Sequence, residues 1–406
     1  MKVLVINAGS SSVKYYLYRM PEAEVLARGA VERIGEAEAQ LTHSINGRTH
    51  TNRVTVSDVN DALGLVFDTL VREDIGVVED ISEIGAVGHR VVHGGEEFTG
   101  SVIVDEQVIA SIEKYADLAP LHNPPNLAGI LAVQRRLADM TQVACFDTAF
   151  HATIPEVAYM YGLPYELYQK YRIRRYGFHG ISHRYIARRA AALMGRGKYE
   201  INAITCHLGN GCSITAVKEG RSVDTSMGFT PLEGVPMGTR SGDLDPAILF
   251  YLGEKGYDPQ ALQSLCNKQS GLLGISGLSN DIRSLLQLAD EGHKRARLAI
   301  DVFCYRIRKY IGAYAAVLEP LDAVVFTGGI GENAACLRKQ ICTGMSQIGI
   351  RLDPAANEAA LAEETLINAA DSPVKIFVIA TNEQLAIAND TYELASHRHP
   401  IVVKSR

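Results

Sequence analysis

Three loops of this chain set a cation or a titratable ring beside glycine: Arg90 in "GHRVVHGGE", His179 in "YGFHGISH" and Arg240 in "PMGTRSGDLDP". Core packing accounts poorly for arginine in a glycine-rich loop, whereas its planar fork suits carboxylate and phosphate oxygens. A structural salt bridge is the plainer alternative for each loop alone; three such loops in one chain favour an anionic ligand. With a formal net charge of −6, the chain would have to gather its cations locally, and it has no electrostatic reason to bind nucleic acid. Asp147 closes the apolar run "QVACFD", at the kind of strand end where α/β proteins place chemistry. Capping the next turn is its structural alternative.

Glycine supplies a second kind of site. The opening "VLVINAGSSSVKYYLY" joins two apolar runs by a string of small polar residues, and "ITCHLGNGCSITAV" at 204–217 repeats that design, with Gly9 and Gly211 about half the chain apart. Such turns let backbone amides and serine hydroxyls approach an anion. Lys14 falls on the opposite strand face from Val13, Tyr15 and Leu17, where it could reach back to a phosphate. An exposed hairpin with a surface lysine is the alternative for one copy, and the repeat weakens it. In "LDAVVFTGGIGENAACLRKQI" an apolar strand runs into Gly328, Gly329 and Gly331 and opens a helix, which predicts free N–H groups and a positive dipole end. Gly329, Gly331, Ala334 and Asp353 loosely fit a dinucleotide fingerprint, which would suggest a dehydrogenase; no Walker A sequence is present.

The His-x3-His pairs, His89 with His93 and His179 with His183, are poor zinc candidates, because the first lies in a strand pattern and the second lacks the HExxH glutamate. Seven cysteines without CxxC spacing read as reduced thiols. No apolar run approaches the roughly 18 to 20 residues of a membrane span, and the N-terminus shows no signal-peptide pattern. No membrane association and a cytoplasmic location are the expectation.

These loops need elements to hold them. Apolar, β-branched runs predict strands at 3–6, 84–92, 142–147, 203–208, 322–327 and 375–380; helical spacing predicts helices at 125–138, 183–195 and 295–318. In the last, Ala299, Val302, Phe303, Ile307, Ile311 and Tyr314 share one face. At 406 residues the chain should hold two or three domains. The alternation makes the fold class α/β, and the repeated turn suggests two similar halves.

The segments "NAGSSSVK", "GHRVVHGGE", "APLHNP", "FDTAFH", "RRYGFHGISH", "CHLGNGCS", "DTSMGFTPLEGVPMGTRSGD" and "VFTGGIGEN" resemble those of the acetate kinase family, and the resemblance runs from Val3 to about Ala388. It implies the duplicated two-domain actin, sugar kinase and Hsp70-like fold with an interdomain active-site cleft, usually as a homodimer. The N-terminal, carboxylate-binding domain would span 1–150, completed by a C-terminal helix at 383–406, and the nucleotide-binding domain 151–382. The implied reaction is ATP + acetate ⇌ ADP + acetyl phosphate with Mg²⁺, or Mn²⁺ in its place, a step toward acetyl-CoA. Residue by residue, the resemblance makes Asn7 and Glu383 metal-site positions and Lys14 an ATP contact. His207, Leu208, Gly209, Asn210 and Gly211, then Asp281, Ile282 and Arg283, then Gly329, Ile330, Gly331, Glu332 and Asn333 match nucleotide-binding segments. Arg90 matches the carboxylate-binding arginine, Asp147 the catalytic aspartate, and His179 and Arg240 the transition-state stabilisers; Val92, Leu121, Phe178 and Pro231 surround the substrate methyl group.

Acetate is already ionised near neutral pH, so Asp147 is not needed as a base and is expected to orient Mg²⁺ or an arginine. Direct in-line transfer is preferred to a phosphorylated carboxylate intermediate. Related propionate kinases tend to carry alanine at the position of Val92, which favours acetate here. A propionate or butyrate kinase is the nearest alternative, and a nucleotide-gated binding protein on the same scaffold the more distant one. Four positions depart from the family pattern, Ala380 in place of a proline among them. Ile181 replaces a threonine, leaving Ser182 to cap the following helix; Gln384 replaces a glutamate; Cys212 replaces a smaller residue, which would sensitise the phosphate loop to oxidation.

Overall fold

In the computed structural model, which describes residues 1–360 and 364–398, the chain forms two compact units. One comprises Met1–Phe150 with the segment beginning at Asn382, the other His151–Thr381. Residues 399–406 of the expected C-terminal helix lie outside the described residues.

The first unit is built on a sheet of β1 (Lys2–Ala8), β2 (Ser12–Arg19), β3 (Glu24–Glu32), β4 (Ala39–Ile45), β5 (Arg48–Val54), β6 (Ile84–Val91), β7 (Val102–Ile103) and β8 (Gln142–Phe146), ordered β5-β4-β3-β2-β1-β6-β8-β7. β1 and β2 form the predicted hairpin, with Asn7 opposite Lys14 and the turn closed by Gly9 N–H donating to the Ser12 carbonyl at 2.8 Å. β6 and β8 run parallel to β1. Val13, Tyr15 and Leu17 of β2 are buried and Lys14 is exposed, which follows from the period-2 alternation of a half-buried strand. Their face packs with Leu4 and Ile6 of β1 and with Leu63, Val66 and Leu70 of the helix Val59–Leu70.

The second unit repeats the plan. β9 (Ala203–Leu208), β10 (Cys212–Lys218), β11 (Arg221–Thr225), β12 (Ala323–Thr327), β13 (Thr365–Leu366) and β14 (Lys375–Val378) are ordered β11-β10-β9-β12-β14-β13. Again a hairpin carries a third antiparallel strand on one side and two parallel strands on the other. Every residue of β8 and β12 is buried, as expected of strands covered on both faces. The six strands predicted at 3–6, 84–92, 142–147, 203–208, 322–327 and 375–380 correspond to β1, β6, β8, β9, β12 and β14. The three predicted helices are observed at Asn123–Arg136, Gly180–Leu193 and Lys294–Val317. In the last, Ala299, Phe303, Ile307, Ile311 and Tyr314 form the buried stripe.

Candidate active site

In the first unit the parallel strands β6 and β8 end side by side and bring Arg90 to Asp147. Arg90 Nε donates to Asp147 Oδ1 at 3.0 Å and Nη2 to Oδ2 at 2.7 Å, a bidentate pair that leaves Nη1 on the far edge of the guanidinium. Asp147 is 2% exposed and Arg90 21%. Burial works against the Arg90 charge, but Asp147 and Glu383 outweigh it and hold its pKa above the ordinary arginine value. Glu383 opens the helix Glu383–Arg398. Burial raises its pKa, Arg90 pulls it down and Asp147 adds to the rise.

The chain beyond Arg90 is held almost atom by atom. The N–H groups of Val92, His93, Gly94 and Gly95 donate at 3.0 Å to Asn126 Oδ1, Asn123 Oδ1, Thr148 Oγ1 and His93 Nδ1. Val92 is buried within this loop, while Leu121 is 67% exposed. His89 and His183 are spent on hydrogen bonds, His89 Nε2 on Gln142 Oε1 at 2.8 Å and His183 on Thr205 and Ser213 at 2.7 Å.

In the second unit a different set converges. His179 has φ of 57° and precedes the helix Gly180–Leu193, a left-handed conformation that for a non-glycine residue costs about 1–3 kcal/mol and must be held by its surroundings. Its Nδ1 is 2.9 Å from Ser213 Oγ on β10, and its ring stacks on His207 of β9 at 4.3 Å between centroids. A Cβ at Gly211 would lie 3.5 Å from His179 Nε2 and 3.6 Å from Arg240 Nη1, so the glycine turn sits between the two. Arg240 Nη1 donates to the Pro231 carbonyl at 3.2 Å and approaches Met237 Sδ at 3.6 Å. Among the described residues it pairs with no carboxylate. Burial accordingly pulls its pKa below the ordinary arginine value. Such a partly buried cation without a counter-charge is poised for an anion.

The remaining nucleotide candidates divide. Gly238 N–H donates to the Asn210 carbonyl at 3.0 Å, and Asn280 Nδ2 reaches Asn210 Oδ1 at 3.3 Å, which brings the segment starting at Asp281 next to the 207–211 turn. Asp281 caps the helix Ile282–Asp290 and chelates Arg283 through Nε and Nη2 at 3.2 and 2.8 Å. Gly328–Asn333 is helical as expected, but its first amide is not free: Glu332 Oε1 accepts Gly328 N–H at 2.9 Å and Thr381 N–H at 3.2 Å. Phe178 is buried beside His179, its carbonyl accepting from His151 Nε2 at 3.0 Å.

Two expectations are corrected. Ser182 does not cap the helix, which begins at Gly180; its hydroxyl joins His207 Nδ1 and Thr381 Oγ1, each at 2.8 Å. Cys212 is not poised for oxidation, because burial pushes its thiol up to about 12 and its Sγ points at the Gly209 carbonyl. Ser213 and Asn123 lie inside the segments "CHLGNGCS" and "APLHNP" without residue types that mark a role, and Asn126 lies outside the quoted segments. For Ser213 a second signal is its place opposite His207 across the hairpin.

Asn7 and Glu383 carry the kind of oxygen donor that Mg²⁺ takes. The side chain of Glu383 is half-buried, and a cation would offset the rise in its pKa that burial causes. Among the described residues no three His, Cys, Asp or Glu side chains form a metal cage.

The sequence profile of the Acetokinase family matches residues 2–389. An acetate kinase of Thermotoga petrophila is 52% identical over 97% of this chain and 98% of its own. The crystal structure of Porphyromonas gingivalis acetate kinase superposes with a TM-score of 0.93 at 44% identity, covering 97% of this chain and 99% of the other. That of a propionate kinase from Francisella tularensis gives 0.91 at 42%, with the same coverage. The chain therefore belongs to the acetokinase family.

Proposed function

We propose that the protein catalyses ATP + acetate ⇌ ADP + acetyl phosphate. The observation that carries this reading is Arg240, a partly buried guanidinium beside the Gly211 turn with no carboxylate partner among the described residues, in a chain of net charge −6. A cation so placed is costly unless an anion arrives.

The two arginines then divide the work. Arg90 is already bound along one edge by Asp147, so its Nη1 would receive the acetate carboxylate while Asp147 fixes the plane of the fork. Asp147 takes no proton, because acetate arrives ionised. An acetate oxygen attacks the γ-phosphorus in line as the bond to the ADP oxygen breaks, and His179 and Arg240 stabilise the charge on the transferring group. Two unit charges about 4 Å apart repel by roughly 4 kcal/mol at an effective dielectric near 20, so bringing acetate to a polyphosphate needs these cations. Mg²⁺, held by Asn7 and Glu383, would when bound neutralise phosphate charge. Lys14, the 207–211 turn, Asp281–Arg283 and Gly329–Asn333 would hold the nucleotide.

Val92, Leu121, Phe178 and Pro231 would enclose the methyl group, with the two extra methyls of Val92 over alanine disfavouring a longer chain. Propionate is the second reading, because the propionate kinase superposes nearly as well as the acetate kinase. One methylene is worth only about 1–3 kcal/mol in such a pocket, so propionate should be a poorer substrate rather than none. A cytoplasmic homodimer fits this reading. No described helix is long and apolar enough to cross a membrane, and the helix Ala247–Glu254 buries none of its residues while exposing Ile248, Phe250 and Tyr251, an apolar face suited to a second copy.

ADP release measured with and without acetate tests the assignment. Arg240→Ala should lower kcat by about 10³-fold or more while leaving the fold intact, since among the described residues Arg240 bridges no carboxylate. Unchanged kcat would remove Arg240 from the reaction.

A further inference from the structure

Asn126 lies in the first turns of the helix Asn123–Arg136 and is 4% exposed. Its two ends face different parts of the candidate site. Oδ1 accepts the Val92 N–H at 3.0 Å, and Nδ2 donates to the Ala8 carbonyl at 2.6 Å. Ala8 ends β1 between Asn7 and Gly9, so one amide joins the strand end that enters the glycine and serine turn to the residue read as the wall of the acyl pocket. The helix is drawn close at this point, for a Cβ on Gly129 would come within 3.0 Å of Ala8 Cβ. Asn123, one turn earlier and fully buried, makes the neighbouring clamp: Oδ1 accepts His93 N–H, and Nδ2 donates to the carbonyls of His93 at 3.0 Å and Ile112 at 3.3 Å. That clamp does not reach β1.

The amide bridge has no slack. Its oxygen and its nitrogen are each satisfied by a backbone group, and neither alanine nor a carboxylate can supply both the acceptor and the donor. We propose that Asn126 is a specificity-positioning residue, which sets the depth of the acyl pocket by fixing Val92 relative to the Gly9 turn. The proposal rests on the reading of Val92 as the pocket wall. Without the bridge, the Val92 backbone is free to withdraw, and the cost of admitting one more methylene falls.

A double-mutant cycle with the full-length enzyme tests it, with kcat/KM for acetate and propionate measured for wild type, Val92→Ala, Asn126→Ala and the double variant. Asn126→Ala should reduce the preference for acetate about threefold to tenfold, the scale of one net hydrogen bond, with KM for ATP changed less than twofold. Its effect on selectivity should vanish in the Val92→Ala background. Asn126→Asp keeps the acceptor for Val92 N–H but sets a carboxylate oxygen against the Ala8 carbonyl. It should show the same change in selectivity and serves if the alanine variant does not fold. Asn123→Ala, which leaves the bridge to β1 in place, should lower stability without moving selectivity. If Val92→Ala alone leaves selectivity unchanged, the pocket reading fails and takes this inference with it. If Val92→Ala broadens the substrate range but the Asn126 variants do not, or act additively with it, the pocket stands and Asn126 is structural only.

Discussion

Arg90 and Arg240 look alike in sequence, each an arginine among glycines, yet their surroundings differ. Arg90 is neutralised by Asp147 along one edge, so removing it should be felt twice. Arg90→Ala strands the Asp147 carboxylate and should cost about 3–5 kcal/mol of stability, readable as a lower urea midpoint, in addition to lost acetate binding. Arg90→Lys keeps the charge but cannot make the bidentate contact. It should raise KM for acetate about tenfold or more while KM for ATP stays within a factor of two; a parallel rise in both would show that Arg90 does not select the carboxylate. Val92→Ala should raise kcat/KM for propionate relative to acetate, within the roughly 1–3 kcal/mol of a methylene. At this scale residue type and glycine context exposed the candidates. What they bond to was hidden, because Ser213 beneath His179 and Thr381 beside Ser182 depend on strand register and chain reversal. Burial of Cys212 likewise follows from its place on β10 and not from its neighbours in sequence.

At the scale of elements, the two hairpins and the parallel strands beside them were legible, because small polar turns between β-branched runs leave few alternatives. The helix after β12 was legible too, but not Glu332 folding back onto its first amide. Two glycines should respond differently to an added methyl group, one through the neighbouring Asn210 side chain and one through the backbone. A Cβ on Gly238 would meet Asn210 Oδ1 at 2.0 Å, so Gly238→Ala should displace Asn210 and raise KM for ATP, with little change in melting temperature. Gly328 has φ of +78°, and its Cβ would sit 2.7 Å from the Leu208 carbonyl oxygen. Gly328→Ala should therefore cost about 1–3 kcal/mol of stability through backbone strain, measured by urea unfolding. Equal effects on binding and stability in the two variants would contradict this division.

Across the whole molecule, buried neutral histidines tie stability to pH. Burial lowers the pKa of His89 to about 4, of His93 to about 3, and depresses those of His43 and His183. A histidine held below its unfolded pKa of about 6.5 contributes stability that is complete above that pH and is lost as pH falls toward the folded value. His89 alone should cost about 3 kcal/mol between pH 6.5 and 4, so the urea midpoint should drop across that window; a flat profile would mean that these rings are not buried neutral. Composition alone left the division into two units unmarked, for no linker or charge block separates His151–Thr381 from its flanks. The repeated strand order of the two sheets corresponds to the turn repeated half a chain apart.

The most direct test of the account is acyl phosphate formation, trapped as the hydroxamate with hydroxylamine, from Mg-ATP and either acetate or propionate. The account predicts rapid acetohydroxamate formation that depends on acetate, with propionate turned over more slowly. ATP hydrolysed without any hydroxamate, whichever carboxylate is supplied, would contradict it and leave a nucleotide-gated binding protein as the better reading.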